Sequence, residues 1–301
     1  MADKNQNFST ILNIEEITSR ANFIPMAEIL SDTDASAQLK SLLGHYTLKD
    51  KVKCGISSCG TMHNNGYLVN LKNDSEIIIG NKCGQKYFGV EFTNQRKAFN
   101  AMRTHAEQFS TLKKAYENLE NLKNEFQASL NLPNGLSFIE IQGLIKRFVN
   151  EEFDYWMRDK IKNGVSSNGI IYQEMFKSKE EMELERLMGG GGRKYISEIK
   201  RVKVAEITAY EILAKWHEAE KLKKYFENFH RELRDPSGIS NDLFKKLYQE
   251  YKKYDQNLKD LKNFCKLGNK LFTKENILKL RELFDKSHEL VKIEDYANQF
   301  S

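Results

Sequence analysis

The stretch that decides the fold covers residues 53–89 and reads KCGISSCGTMHNNGYLVNLKNDSEIIIGNKCGQKYFG. It holds three of the chain's four cysteines, and His63 lies between the second and the third of them. Three thiolates and one imidazole complete the tetrahedral ligand shell of a structural zinc site. We therefore predict a Cys3His centre that binds Zn through Cys54, Cys59, His63 and Cys83.

A β-hairpin inside this stretch is predicted to close the site. Residues 66–71 and 75–79 have the composition of strands, and the segment 72–74 between them is typical of a turn. Such a hairpin returns the chain, so that Cys83 reaches Cys54 and Cys59. A glycine follows each cysteine, and its freedom to adopt a positive φ is expected to aim its N–H at the sulfur. These glycines are Gly55, Gly60 and Gly84.

Other readings of the cysteines and histidines remain open. The three cysteines could be reduced residues that pack as small apolar side chains. His45 is a second candidate for the histidine ligand, although an ordinary surface or helix-end histidine is the reading we favour. Cys265 lies on an apolar helical face and is expected in the core. Four protein ligands leave no position for water, so the predicted centre is structural and not catalytic.

Composition and charge exclude several classes of protein. With 3 prolines and 4 cysteines in 301 residues, the chain is neither collagen-like nor a disulfide-stapled scaffold. Its 47 basic and 42 acidic residues are mixed in sign along the chain, which is typical of solvated helices. We find no signal peptide and no apolar run of about 18 residues, so we expect a cytoplasmic protein with no membrane contact.

Most of the chain outside the hairpin is predicted to be helical. Apolar residues recur at steps of three and four between Phe99 and Leu130, which predicts an amphipathic helix of about 35 residues. Further helices are predicted around Leu39 after an N-cap cluster at 31–34, from Ile196 to Phe229, and from Leu243 to Cys265. The predicted fold class is mainly α, with long amphipathic helices, helical arms and a small N-terminal α+β zinc-knuckle module.

The same signals suggest a division of the chain. We predict a head over residues 1–95 with the zinc module at 51–92, a helical region at 96–188, a glycine hinge at 189–192 and an oligomerising helical arm at 193–301. The glycines lack the spacing of a phosphate-binding loop. The stretch 193–203 could contact phosphates or an acidic partner, although solvated helix surface is the interpretation that we favour. Its basic residues are Arg193, Lys194, Lys200, Arg201 and Lys203.

No catalytic constellation is recognisable in the sequence. His217, His230 and His288 are scattered over charged helices and have no Ser or Cys partner in a known motif. We therefore expect a protein that is not an enzyme.

Aromatic residues repeat along the last helices. Most of them are expected to pack in the core, but aromatic side chains are also favoured as anchors at protein interfaces. This pattern predicts a homo-oligomer that forms through the C-terminal helices.

The block from Cys54 to Gly89 resembles a small zinc-knuckle module of phage and mobile-element proteins. The resemblance depends on the Cys-Gly pairs, the strand at 66–69, and Ile79-Gly80 before Cys83. In size and layout the whole chain also resembles the phage-encoded anti-Gabija inhibitors. This second resemblance implies a non-enzymatic oligomer that inhibits a bacterial nuclease–helicase defence complex by direct binding. The alternative hypothesis is a zinc-containing, nucleic-acid-binding regulatory protein.

Overall fold

The computed structural model of the chain describes residues 10–29, 38–188 and 198–300. Over these residues the chain is mostly helical and carries a small antiparallel sheet near the N-terminus, as predicted. It divides between residues 114 and 115 into two compact units, whereas the sequence places the end of the head at residue 95. The predicted domain limits stay a prediction. The N-cap cluster at 31–34 and the glycine hinge at 189–192 lie outside the described residues.

The first unit is built on a three-stranded antiparallel sheet. Strand β1 (Leu39–Lys53) pairs with β2 (Met62–Leu71), and β2 pairs with β3 (Glu76–Gly80). Helix α1 (Glu15–Thr18) precedes the sheet and α2 (Asn81–Glu117) follows it directly. The β2–β3 hairpin confirms the predicted strands and turn.

Strand β1 shows that the predicted helix around Leu39 is wrong. From Leu42 to Leu48 every second residue is buried, while Leu43 and His45 between them are only half-buried. That two-residue alternation is the pattern of a strand. The spacing of Leu39, Leu42 and Leu43 fits a helix equally well, so pairing with β2 decides the conformation.

The sheet is buried on both faces. Successive side chains of a strand point to opposite faces, so the apolar run of β3 supplies both of them. One face packs against aromatic side chains of α2; these residues are Tyr67, Val69, Ile77, Ile79, Phe88, Phe92 and Phe99. The other face packs against Ile17 of α1, through Tyr46, Leu48, Leu68 and Ile78.

The second unit consists of helices and a two-stranded antiparallel sheet. Its strands are β4 (Ile170–Phe176) and β5 (Ile199–Glu206). Its helices are α3 (Leu119–Leu130), α4 (Phe138–Asn150), α5 (Tyr155–Gly164), α6 (Lys179–Met188), α7 (Ile212–Glu232), α8 (Asn241–Tyr251), α9 (Tyr254–Leu271), α10 (Lys274–Leu278) and α11 (Ser287–Ala297). Short 3-10 turns cover Pro236–Gly238 and Lys279–Leu283.

Three of the predicted helices have different limits in the structure. The helix predicted over Phe99 to Leu130 is α2 and α3, which are interrupted at Asn118. The helix predicted from Ile196 is wrong over residues 199–206, which form β5 because they pair with β4. The helix predicted from Leu243 is α8 and α9, separated by two residues.

The aromatic residues of the C-terminal helices pack mainly inside the second unit. Phe226, Phe229 and Tyr254 are fully buried, and the rings of Phe226 and Tyr254 meet edge to face at 5.0 Å. Edge-to-face pairs at such distances add to the energy of apolar burial. These rings therefore stabilise the fold of the unit itself, as predicted for most of them.

Candidate metal centre

The structure brings together three of the four predicted ligands. The Sγ atoms of Cys54, Cys59 and Cys83 all lie within 4.8 Å of one another, and those of Cys59 and Cys83 are 3.1 Å apart. Cys54 and Cys83 are buried, whereas Cys59 is half-buried. These three cysteines are close enough to hold a metal ion.

Backbone hydrogen bonds of the loop after β1 position the first two cysteines. The N–H of Cys54 donates to the carbonyl of Thr61 at 2.9 Å, and the N–H of Cys59 donates to that of Ile56 at 2.9 Å. Cys83 comes from the first turn of α2, which begins where β3 ends. The hairpin thus delivers the third thiol, as the spacing predicted.

The three glycines after the cysteines differ in role from the prediction. Only Gly60 has a positive φ, of 63°. Gly55 donates its N–H to the carbonyl of Ile78 at 2.7 Å, and Gly84 leaves room for the ring of Phe92. The N–H groups that reach sulfur belong to residues two positions after the cysteine: Ile56 for Cys54 and Thr61 for Cys59.

The local environment makes the three thiols unequal. Burial raises the pKa of Cys54 to about 12 and also raises the pKa of Cys83. Burial acts in the same direction on Cys59, but hydrogen bonds from Thr61 and Cys83 outweigh it and bring the pKa of Cys59 to about 7. Cys59 is therefore the thiol that ionises most readily. A bound cation favours the thiolate at every sulfur that contacts it.

His63 lies on β2, and its two ring nitrogens have different surroundings. Nδ1 lies 2.8 Å from the Tyr46 hydroxyl oxygen. Nε2 is buried and has no hydrogen-bond partner among the described residues. Burial also lowers the pKa of His63, which favours the neutral imidazole that ligates metals. His63 does not belong to the group of atoms that lie within 4.8 Å of one another, so its place as fourth ligand stays a prediction.

Tyr46 connects His63 to the end of β3. Its hydroxyl lies 3.4 Å from the carbonyl oxygen of Ile79, to which it donates. Burial, together with the charges of Cys54 and Cys83 as thiolates, raises the pKa of Tyr46, so the hydroxyl keeps its proton. It can therefore accept a hydrogen bond from Nδ1–H of His63. Metal-ligating histidines usually make such a bond with their second ring nitrogen.

Tyr46 was not among the predicted site residues. A signal was present in Gly66, which lies opposite Tyr46 in the β1–β2 register. A Cβ at Gly66 would lie 2.5 Å from the Tyr46 hydroxyl oxygen, so the glycine makes room for that group. A glycine inside a strand often marks such a close approach.

His45, the second candidate for the histidine ligand, and Cys265, the fourth cysteine, have other surroundings. His45 places Nε2 3.2 Å from Oδ1 of Asn65 and Nδ1 3.5 Å from the hydroxyl of Thr10, so both ring nitrogens have partners. As the neighbour of Tyr46 in β1, it points to the opposite side of the strand. Cys265 is fully buried in α9, and burial raises its pKa to about 12. It is a core residue, as predicted.

The basic stretch at 193–203 falls partly on β5. Lys200 pairs with Glu181, Arg201 with Glu174 at 3.3 Å, and Lys203 with Glu206. These cations are therefore neutralised by carboxylates of the same chain. Arg193 and Lys194 lie outside the described residues.

No helix in the described part of the chain is both long and apolar enough to cross a membrane.

Comparison of the chain with known protein-family models, curated proteins and solved structures found no match.

Proposed function

We propose that the chain is a non-enzymatic binding protein that contains a structural zinc centre and acts by blocking a partner. The observation that carries the proposal is a set of large apolar side chains that the second unit leaves at least 70% exposed. They are Ile139, Tyr155, Phe176, Leu187 and Met188. Adjacent exposed apolar groups mark surfaces that bind other proteins, and Leu187 and Met188 are adjacent at the end of α6.

Zinc is the ion that the donor set favours. Thiolates and an imidazole in a tetrahedral shell are the usual ligands of structural zinc. The buried, unpartnered Nε2 of His63 supports this histidine as the fourth ligand. The ion would then cross-link the end of β1, strand β2 and the start of α2. Because four protein ligands close the shell, the centre serves stability and not catalysis.

Metal analysis of the purified protein tests the zinc centre. We expect about one zinc ion per chain by mass spectrometry, the stoichiometry of a single four-ligand site. Cys54→Ser and His63→Ala should lose zinc and lower the melting temperature. Cys265→Ala and His45→Ala are matched controls that should keep the metal. A protein without zinc, whose melting temperature Cys54→Ser leaves unchanged, would contradict the proposal.

The partner that we propose is a bacterial anti-phage defence complex of the nuclease–helicase type. The resemblance in size and layout to anti-Gabija inhibitors supports this choice. A tagged chain expressed in the cytoplasm of a bacterium that carries the complex should co-purify with it and restore phage plaques. Co-purification with nucleic acid alone, and no gain in plaques, would overturn this assignment.

A second candidate function, nucleic-acid binding, is favoured by exposed lysines beside the cysteines. Lys53 precedes Cys54, Lys82 precedes Cys83, and Lys86 lies one helical turn after Lys82. None of the three has an ion pair among the described residues. The carboxylate of Glu76, in the same unit, already has a basic partner in Arg20. Lysines that lack an ion pair are available for phosphate contacts.

Salt dependence separates this second candidate from the first. If the lysines bind phosphates, affinity for a duplex DNA probe should fall steeply as salt rises. Lys82→Glu with Lys86→Glu should weaken binding strongly, while Lys72→Glu, at the hairpin turn, should change it little. A chain that binds no probe at low salt would remove the candidate.

A further inference from the structure

We infer that Cys59 and Cys83 form a redox pair: a hydroperoxide oxidises the sulfur of Cys59, and Cys83 then closes a disulfide bond with it. Formation of the disulfide needs only these two sulfurs and the oxidant, so it does not depend on a bound metal. Its consequence, the release of zinc, rests on the proposed zinc centre. The inference assigns to this centre a reversible covalent modification.

The two sulfur atoms of the pair are already close to bonding distance. The Sγ atoms of Cys59 and Cys83 lie 3.1 Å apart, although the residues are 24 positions apart in the chain. A disulfide bond is about 2 Å long, so the sulfurs need to approach each other by only about 1 Å. The fold therefore places a second thiol where it can react with the first.

The three thiols of the cluster differ in their access to solvent. Cys59 is half-buried, and its neighbours Ser58 and Gly60 in the loop are exposed. By contrast, Cys54 is 0% exposed and Cys83 is 7% exposed. The oxidation of a cysteine depends on its exposure as well as on its thiolate character. A peroxide dissolved in water therefore reaches Cys59 first.

Cys54 is disfavoured as the partner of Cys59. Its sulfur accepts a hydrogen bond from the N–H of Ile56. Its own N–H donates to the carbonyl of Thr61 at 2.9 Å. These bonds hold Cys54 in its buried place, whereas the sulfur of Cys83 already lies beside that of Cys59. We therefore expect Cys54 to remain a thiol.

The two steps balance with hydrogen peroxide as the oxidant. The Cys59 thiolate attacks one oxygen, the O–O bond breaks, the sulfur becomes a sulfenic acid, and hydroxide leaves. The Cys83 thiolate then attacks that sulfur, the S–S bond forms, and a second hydroxide leaves. Two electrons pass from the sulfurs to the peroxide. With the two protons of the original thiols, the hydroxides become two molecules of water.

Oxidation would open the proposed metal shell. The thiolate is the form of cysteine that ligates metals, so the disulfide would remove two of the four ligands. Cys54 and His63 would remain, and the ion would leave as Zn²⁺ with its charge unchanged. The disulfide would itself join the loop after β1 to α2. The first unit would thus exchange a metal cross-link for a covalent one.

Peptide mapping of the full chain tests the pairing. The protein is treated with a small molar excess of hydrogen peroxide, and its free thiols are then blocked with N-ethylmaleimide in denaturant. We expect a disulfide that joins Cys59 to Cys83, whereas Cys54 and Cys265 should carry the blocking group. Dithiothreitol should reverse the bond by thiol–disulfide exchange. A disulfide that includes Cys54, or no disulfide at all, would overturn the inference.

Two variants test the order of the steps. Cys83→Ser should accumulate a sulfenic acid on Cys59, which dimedone traps, because the second thiol is missing. Cys59→Ser should lose the disulfide and give no dimedone adduct on Cys83. Cys265→Ser, at a buried position outside the cluster, is the matched control and should form the disulfide as the wild-type chain does. Dimedone on Cys83 instead of Cys59 would contradict the proposed order.

Zinc content, measured before and after oxidation, separates this inference from the proposed function. Release of about one zinc ion per disulfide supports both. A disulfide between Cys59 and Cys83 in a chain that never held zinc supports the redox pair and contradicts the zinc centre. A chain that keeps its zinc and its free thiols overturns the redox pair and keeps the centre. The same disulfide after treatment with a chelator would show that the pair does not depend on the metal.

Discussion

At Gly84 the backbone of α2 approaches the ring of Phe92 so closely that a side chain would collide with it. A Cβ there would lie 2.4 Å from the nearest ring atom. Phe92 is fully buried against Tyr67 and Phe99 in the core of the first unit, so the ring cannot turn away. Gly84 is thus required by packing, although its position beside Cys83 suggested a role toward the sulfur.

We expect Gly84→Ala to lower the free energy of unfolding of the first unit by about 2–3 kcal/mol, the usual cost of overpacking a core. Urea denaturation measures the change. Gly143→Ala on α4 is the control, because nothing lies within 4 Å of its added Cβ. That variant should gain up to about 1 kcal/mol from helix propensity. Equal behaviour of the two variants would contradict the packing role.

His230 is a half-buried residue whose ring lies among Phe126, Phe226 and Tyr254. Its Nε2 lies 2.8 Å from the hydroxyl oxygen of Tyr254, which itself donates to the carbonyl of Leu122. Burial lowers the pKa of His230 first, Lys123 lowers it further, and Glu120 acts in the opposite direction. The folded state therefore disfavours the imidazolium form.

Because its folded pKa is depressed, His230 contributes stability above its unfolded pKa of about 6.5, and that contribution is lost as pH falls. We expect the free energy of unfolding of the second unit to decrease from about pH 7.5 to 5.5, and to decrease less in His230→Gln. Chemical denaturation across this range measures both slopes. His45 and His63 are present in both the wild-type chain and the variant, so their contributions cancel in the difference between the two slopes. Parallel slopes would rule out the contribution of His230.

At the level of elements, one buried side chain joins the segment after β5 to the junction of α9 and α10. Asn276 accepts a hydrogen bond from the N–H of Thr208 at 2.8 Å and donates to the carbonyl of Thr208 at 2.9 Å. Its amide also donates to the carbonyl of Leu271 at 3.1 Å. The amide thereby satisfies backbone groups that the helices cannot reach.

Removing this amide should cost about 2–3 kcal/mol, because buried backbone donors and acceptors would lose their partners. We therefore expect Asn276→Ala to shift the urea midpoint of the second unit markedly downward. Asn263→Ala, an exposed position on α9, should change the free energy of unfolding by no more than about 0.5 kcal/mol. A midpoint of Asn276→Ala equal to that of Asn263→Ala would show that the amide is dispensable.

At the level of the whole molecule, the chain contains two compact units, and the cysteine cluster belongs to the first. Metal binding and folding are coupled where a metal holds a small module together. Local stability can also differ widely between parts of one chain. The effect of losing a metal should therefore be confined to the first unit.

Chelation tests this expectation by hydrogen exchange. After treatment with a strong chelator, amides of β1, β2 and β3 should exchange at least about tenfold faster, since loss of 1.4 kcal/mol corresponds to a factor of ten. Amides of α7 and α9 should keep their protection. Cys54→Ser without chelator should reproduce the pattern. Equal acceleration in both units, or none in the sheet, would contradict a metal centre local to the first unit.

The amino-acid sequence by itself determined the features that depend on local signals. The spacing of Cys54, Cys59 and Cys83 predicted that the three thiols converge, because a hairpin of that length returns the chain to its start. The strands and turn of this hairpin, and the mainly helical character of the chain, were readable from turn residues and from apolar periods. Such signals act between residues a few positions apart, so they can be read along the chain.

Only the tertiary structure decided the features that depend on distant partners. The leucines at the start of β1 fit a helix as well as a strand, and β2 made them a strand. Ile199 and Val202 fit a helical period, yet pairing with β4 placed them in β5. Tyr46 reached His63 because β1 and β2 are neighbours in the sheet. Strand pairing joins residues that are far apart in the chain, and the free energy of such contacts outweighs the small local preferences that periodicity records.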